Sequence, residues 1–189
     1  VKLDTESILN VQFGNDDGSL FNDYLNKYRS IRSIKASDIN TNNLNSLLAD
    51  HKLLLVSFHM KSDTPWENMN KKFSLKEQDI LKTIDEHNNK ILASFTNPYA
   101  LSQINLKSYN SVVVGFQNNH EFQKIIAQQI FGAKEIKGTL PVSINDTFKE
   151  GAGIILKNLN ILSYADPEMV GVDRKKLNKI DSLINFAIE

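Results

Sequence analysis

The chain has 189 residues, enough for one domain of ordinary size plus an extension, and its 41% hydrophobic and 23% charged residues are the balance of a soluble globular protein. Lys+Arg and Asp+Glu stand at 22 each, so no net field recruits nucleic acid or anionic lipid, and no apolar run approaches the roughly 18 residues of a membrane span. There is no cysteine, which excludes disulfides, thiolate metal sites and a cysteine nucleophile.

In chain order, short apolar runs alternate with helical patterns. Strands are expected at Ile8–Phe13, Ser30–Lys35, Leu53–Phe58, Lys90–Phe95 and Ser111–Phe116. Leu53-Leu54-Leu55-Val56 and Val112-Val113-Val114 are continuously apolar, as strands covered on both faces are. Helices are expected between them at Ser19–Tyr28, Asn42–Asp50, Ser74–Asn88 and Asn119–Phe131. Ser74 with Glu77 forms a capping-box pattern. Asn119 or His120 precedes the stripe Phe122, Ile125, Ile126 and Ile130, and Gly132 is placed to end that helix in a left-handed turn. Strand–helix alternation at this length implies right-handed βαβ units. The fold class expected is therefore α/β, a flavodoxin-like doubly wound and mostly parallel sheet, with strand order 2-1-3-4-5.

Beyond Gly132 the pattern changes. Gly138 to Ile144 reads as a late strand, and Pro141 places it at an edge or in an irregular pairing. Asn145–Gly153 reads as loop, and Ile154–Leu162 as ambiguous between strand and coil. Ser163–Val172, with Pro167 and Gly171, is a linker. Asp173 can then cap a last helix whose apolar face is Leu177, Ile180, Ile184 and Ile188.

The run Phe131-Gly132-Ala133, followed by Gly138-Thr139-Leu140-Pro141-Val142, resembles the C-terminal α/β domain of family 3 glycoside hydrolases, as does Ala93-Ser94-Phe95-Thr96-Asn97-Pro98-Tyr99. The resemblance spans about Ile8 to Val142 and is nearest to the bacterial β-N-acetylhexosaminidases. The tail, Asp166-Pro167-Glu168-Met169-Val170-Gly171 followed by Leu177, Ile180 and Ile184, resembles the opening of β-lactamase-like serine hydrolases. These resemblances divide the chain into an α/β domain at 1–162 and, at 163–189, a linker with the first helix of a following domain. They imply two partners within a longer protein: a preceding (β/α)8 catalytic barrel and a downstream hydrolase-like domain. Val1 in place of Met fits an excised or mature piece, and the resemblance implies a bacterial periplasmic or cell-surface site.

Glycoside hydrolysis needs two positioned carboxyl-type partners flanking the scissile bond. In the family resembled, the nucleophile and, in the hexosaminidase branch, a histidine of a Lys-His-Phe-Pro-Gly type motif lie on the barrel. None of His51, His59, His87 and His120 is followed by Pro-Gly, and no serine is followed by lysine in a Ser-x-x-Lys spacing. No catalytic residue, metal site or cofactor is therefore expected, and the isolated chain should be inactive. Gly132, Gly138, Leu140 and Pro141 read as scaffold, with Gly138 easing the turn into the late strand.

Ligands of doubly wound sheets bind at the carboxyl ends of the strands, which places Gly14–Ser19, His59–Trp66 and Asn97–Tyr99 on one rim. His59, Asp63, Trp66 and Asn97 are the residues there that could meet a carbohydrate, Trp66 by stacking and Asp63 by accepting from hydroxyls. The plainer reading has Trp66 against a missing barrel and His59 satisfied at a strand end. Two other classes share the architecture. A receiver-like module would use Asp16 and Asp17, but Leu53–Phe58 does not end in aspartate and no lysine follows Val112–Phe116. A flavodoxin-like phosphate loop at Gly14–Ser19 would set two carboxylates against an anion.

Overall fold

The computed structural model describes residues 7–60 and 73–188. Strands β1 (Ile8–Phe13), β2 (Arg32–Lys35), β3 (Leu53–His59), β4 (Lys90–Phe95) and β5 (Ser111–Val114) form one parallel sheet in the order β2-β1-β3-β4-β5. The helices are α1 (Ser19–Asn26), α2 (Leu44–Ala49), α3 (Leu75–Asp85), α4 (His120–Ile130) and α5 (Arg174–Ile188). This is the doubly wound, flavodoxin-like arrangement that the alternating pattern predicts, and the strand order agrees as well.

The central strands β1 and β3 are largely buried because each face is covered. On one side Leu9, Val11, Leu54, Val56 and Phe58 pack with α2 and α3 through Leu44, Leu48, Ile80 and Ile84. On the other, Leu55, Ala93 and Phe95 pack with α1 and α4 through Phe21, Leu25, Ile126 and Ala127. Helix starts follow local chemistry. Ser74 and Glu77 form the reciprocal capping box on α3, and Asn119 Oδ1 accepts from the Phe122 amide at the start of α4.

The late strand is not formed. Gly138 to Ile144 does not join the sheet but folds back on the chain that follows it. Ile136 and Leu156 make one isolated antiparallel bridge, the Leu140 amide donates to the Ala152 carbonyl, and the Ile144 amide donates to the Phe148 carbonyl. Pro141 has no amide to continue a ladder, so the pairings stay separate. Leu140 and Ile144 still pack against the α2/α3 side of the core, so the segment contributes burial without strand geometry. Gly138 has nothing within 4 Å of an added Cβ, so no close turn requires glycine there. Gly132 does: with φ +72 it ends α4, and an added Cβ would stand 2.6 Å from Leu159.

The chain stays docked past Leu162. The Tyr164 amide donates to Gln128 Oε1 at 2.7 Å, and its ring meets Tyr28 edge-on at 5.3 Å. By contrast, α5 buries none of its residues against the other described ones.

Candidate functional site

The carboxyl ends of β1 and β3 enclose a cavity of about 240 Å³, lined by Gln12, Gly14, Asp16, Asp17, Ser19, Asn22, Lys35 and His59 among others. It lies where the chain leaves β1 for α1 on one face while the neighbouring connection runs to the other, the usual ligand position in open α/β sheets.

His59 is the last residue of β3 rather than a loop residue, and only 1% of it is exposed. Its ring stacks on Phe95, with centroids 4.6 Å apart, and lies 5.6 Å from Phe21. Burial pushes the imidazole down to about 4, and the neighbouring Asp17 and Asp16 carboxylates only partly oppose this. The ring is therefore neutral at pH 7.

Its tautomer follows from the partners. Asn118 Nδ2 donates to the Asp17 carbonyl at 2.9 Å, which leaves Asn118 Oδ1 to accept from Gln123 Nε2 at 2.9 Å and from His59 Nδ1 at 3.0 Å. His59 Nδ1 thus carries the proton, and Nε2 presents a lone pair. That Nε2 is buried without a partner, and so is Gln12 Nε2. Both would lie 2.7 Å from a Cβ added to Gly18. Glycine at position 18 therefore lets the start of α1 pack directly over both nitrogens, where any side chain would collide with them.

The surrounding loops are built to hold this arrangement. Gly14 has φ +100, and a Cβ there would overlap the His59 carbonyl. The Asp16 amide instead donates to that carbonyl at 3.1 Å. At the end of β5, Phe116 adopts φ +60, a left-handed conformation costly for a bulky residue, and the turn it makes brings Asn118 to His59. Gln123, 3% exposed, donates to the Asp17 carbonyl and accepts from the Phe21 amide at the start of α1. Beneath the cavity, buried Asn10 bonds Asn22 and Ser57, and Ser33 bonds Asn22.

The carboxylates are less available than their spacing suggests. The Ser19 amide and hydroxyl both bond Asp17, at 2.9 Å each, and hold its carboxyl below the ordinary range. Two of the first three amides of α1 are thereby occupied, Ser19 by Asp17 and Phe21 by Gln123, where a phosphate would need them. The chain's own groups thus compete with a flavodoxin-like phosphate for these amides. A receiver-like site would need an aspartate at the end of β3, which closes instead in neutral His59.

Of the two sequence-read rim residues that the structure describes, His59 lines this cavity and Asn97 does not. Asn97 caps the 3-10 turn Pro98–Gln103 by accepting from the Tyr99 amide at 3.0 Å. Asp63 and Trp66 lie outside the described residues. Sequence reasoning missed Gln12, Asn118 and Gln123. Gln12 breaks the apolar run of β1 two residues before Gly14, which is a signal that could have marked it. Asn118 and Gln123 reach the site from more than 100 residues downstream of Asp17 and leave no local trace.

No family model matches the chain, and no curated protein matches it. Among solved structures, the chain is similar to one described as "Beta-glucoside phosphorylase BglX", with a TM-score of 0.53 and 17% identity. The match covers 74% of this chain and 26% of that one, so the chain corresponds to about a quarter of that structure's length. At this identity the likeness is one of fold.

Proposed function

We propose that the chain is an accessory, non-catalytic α/β domain of a family 3 glycoside hydrolase, of the β-N-acetylhexosaminidase branch, which packs against a catalytic (β/α)8 barrel and supports its loops. The observation that carries this reading is an exposed apolar segment, Ile154–Leu162, which follows the Gly138–Val142 stretch that resembles the family after an intervening loop. Ile154, Ile155, Leu159 and Leu162 are 73%, 71%, 70% and 89% exposed, a concentration of apolar surface that favours a covering partner. The fold likeness to a beta-glucoside phosphorylase structure is in keeping with it.

The rim chemistry supports the word accessory. Asp17 is committed to Ser19, and His59 is neutral and shielded, so the described rim offers no pair of carboxyls free to flank a glycosidic bond. The tail after Ser163 is, on the same reading, the beginning of a hydrolase-like domain, and the parent protein acts in the bacterial periplasm or at the cell surface.

The test is turnover. The purified chain is expected to leave a chromogenic N-acetylglucosaminide and a chromogenic glucoside intact. Hydrolysis that survives purification and disappears in His59→Gln would contradict the accessory role.

A further inference from the structure

We propose that residues 164–174 form a rigid joint, clamped by Arg174, that fixes the direction in which α5 leaves the α/β domain. The joint is built from described residues alone and holds whether or not a barrel precedes it.

Each step of the connection is held by a local contact. At its start the Tyr164 amide donates to Gln128 Oε1 at 2.7 Å, and the Tyr164 hydroxyl donates to the Lys27 carbonyl at 3.2 Å. Lys27 Nζ lies 3.8 Å from the centre of the Tyr24 ring and 4.9 Å from that of Tyr164, so one cation ties both rings to the end of α1. Two residues on, Asp166 Oδ2 meets Lys124 Nζ of α4 at 3.5 Å. Pro167–Val170 is a single 3-10 turn that Gly171 ends at φ +76. The Gly171 amide donates to the Glu168 carbonyl, and the Val172 amide donates to the Pro167 carbonyl. Asp173 Oδ1 then accepts from the Lys175 amide at 2.8 Å and caps α5.

Arg174 closes the joint. Its Nε and Nη2 grip the two Glu168 carboxylate oxygens at 3.1 and 3.0 Å, and Nη2 also reaches Asp166 Oδ1 at 3.1 Å. The first residue of α5 is thus bonded back to the turn before it and, through Asp166, to Lys124 on α4. A guanidinium fork holds a carboxylate in a fixed plane, whereas a lone exposed ion pair leaves its partners free to part. Arg174 is also the chief cause that holds the Asp166 and Glu168 carboxyls below their ordinary range, so the clamp stays charged at pH 7. It sets direction rather than burial, since α5 buries none of its residues.

The experiment is a distance measurement on the full chain. There is no native cysteine, so spin labels can be placed on Asp23→Cys in α1 and Ser182→Cys in α5, both exposed positions, and their separation read by pulsed electron spin resonance. A free coil of about ten residues would spread its ends over roughly 17 Å, whereas the joint should give one narrow peak of a few Å. Asp166→Ala combined with Arg174→Gln removes the clamp and leaves the Asp173 cap in place. It should widen the distribution at least about twofold, with helix content by circular dichroism unchanged. Glu168→Ala, outside the helix, should widen it in the same sense even if the double variant unwinds α5. The proposal is overturned if the wild-type distribution is already as broad as a free coil. It is equally overturned if the variants keep the wild-type width.

Discussion

His59 lies flat on Phe95, its register partner on β4, with the two rings within 16° of parallel. The pairing holds the imidazole between strands and under α1, where desolvation outweighs the nearby Asp16 and Asp17 charges. A histidine in that position behaves as a neutral hydrogen-bonding group, not as a proton shuttle at pH 7.

The first prediction concerns pH. His59 has a folded value of about 4, below the ordinary 6.5, so between those values the unfolded chain holds a proton that the folded chain refuses. Stability from this group is complete above about 6.5 and is lost as pH falls through the window, by roughly 3 kcal/mol at most. Urea unfolding of the wild type should therefore weaken between pH 7 and 4.5 more steeply than that of His59→Gln. An NMR titration placing the His59 midpoint near 6.5 would contradict the account.

The second concerns Asn118, which joins three elements through one amide: β3 at His59, α4 at Gln123 and the β1–α1 loop at the Asp17 carbonyl. Asn118→Ala should destabilise the fold by about 1–3 kcal/mol, because it strands buried partners. Asn118→Asp should place a carboxylate on Nδ1 and raise the His59 titration midpoint well above its wild-type value. If the midpoint does not rise, Asn118 is not the group that fixes the ring.

The layers of this fold were legible because local chemistry and tertiary demand agree. Leu53–Val56 is apolar for the same reason that it is covered, and Ser74–Glu77 caps a helix wherever that helix packs; Val112–Val114, equally apolar, lies on the edge strand and is only half-buried. Gly138–Ile144 misled because its alternating pattern is strand-like, while Pro141 and the competing pairing with Phe148–Leu156 decide its geometry. The site was half legible. His59 stands at a strand end, where ligand rims form, but its burial and its Asn118 bond depend on contacts 59 residues apart. The orphaned Gln12 amide follows from packing against Gly18, which periodicity cannot express.

The third prediction separates two glycines of the same motif. Gly132→Ala should cost about 1–2 kcal/mol, since it forces a left-handed φ on a Cβ-bearing residue and drives that Cβ into Leu159. Gly138→Ala should stay within about 0.5 kcal/mol, as open space surrounds it. Equal losses in denaturant unfolding would refute the distinction.

The fourth locates the end of the domain. Removal of α5 by truncation after Val172 should leave the thermal midpoint unchanged, because that helix buries nothing against the other described residues. Truncation after Leu162 should cost about 1–2 kcal/mol. It strips Tyr164 from Gln128 and from the ring of Tyr28, and it exposes Tyr24, over which Lys27 Nζ sits at 3.8 Å. The opposite order of effects would mean that the tail, not the tyrosine strap, holds the structure.

The accessory role itself is tested most directly by sequencing the gene upstream of the Val1 codon. The account predicts a continuous reading frame that encodes a (β/α)8 barrel with a Lys-His-Phe-Pro-Gly type segment. An in-frame stop codon immediately before Val1, or an unrelated domain in the barrel's place, would contradict it.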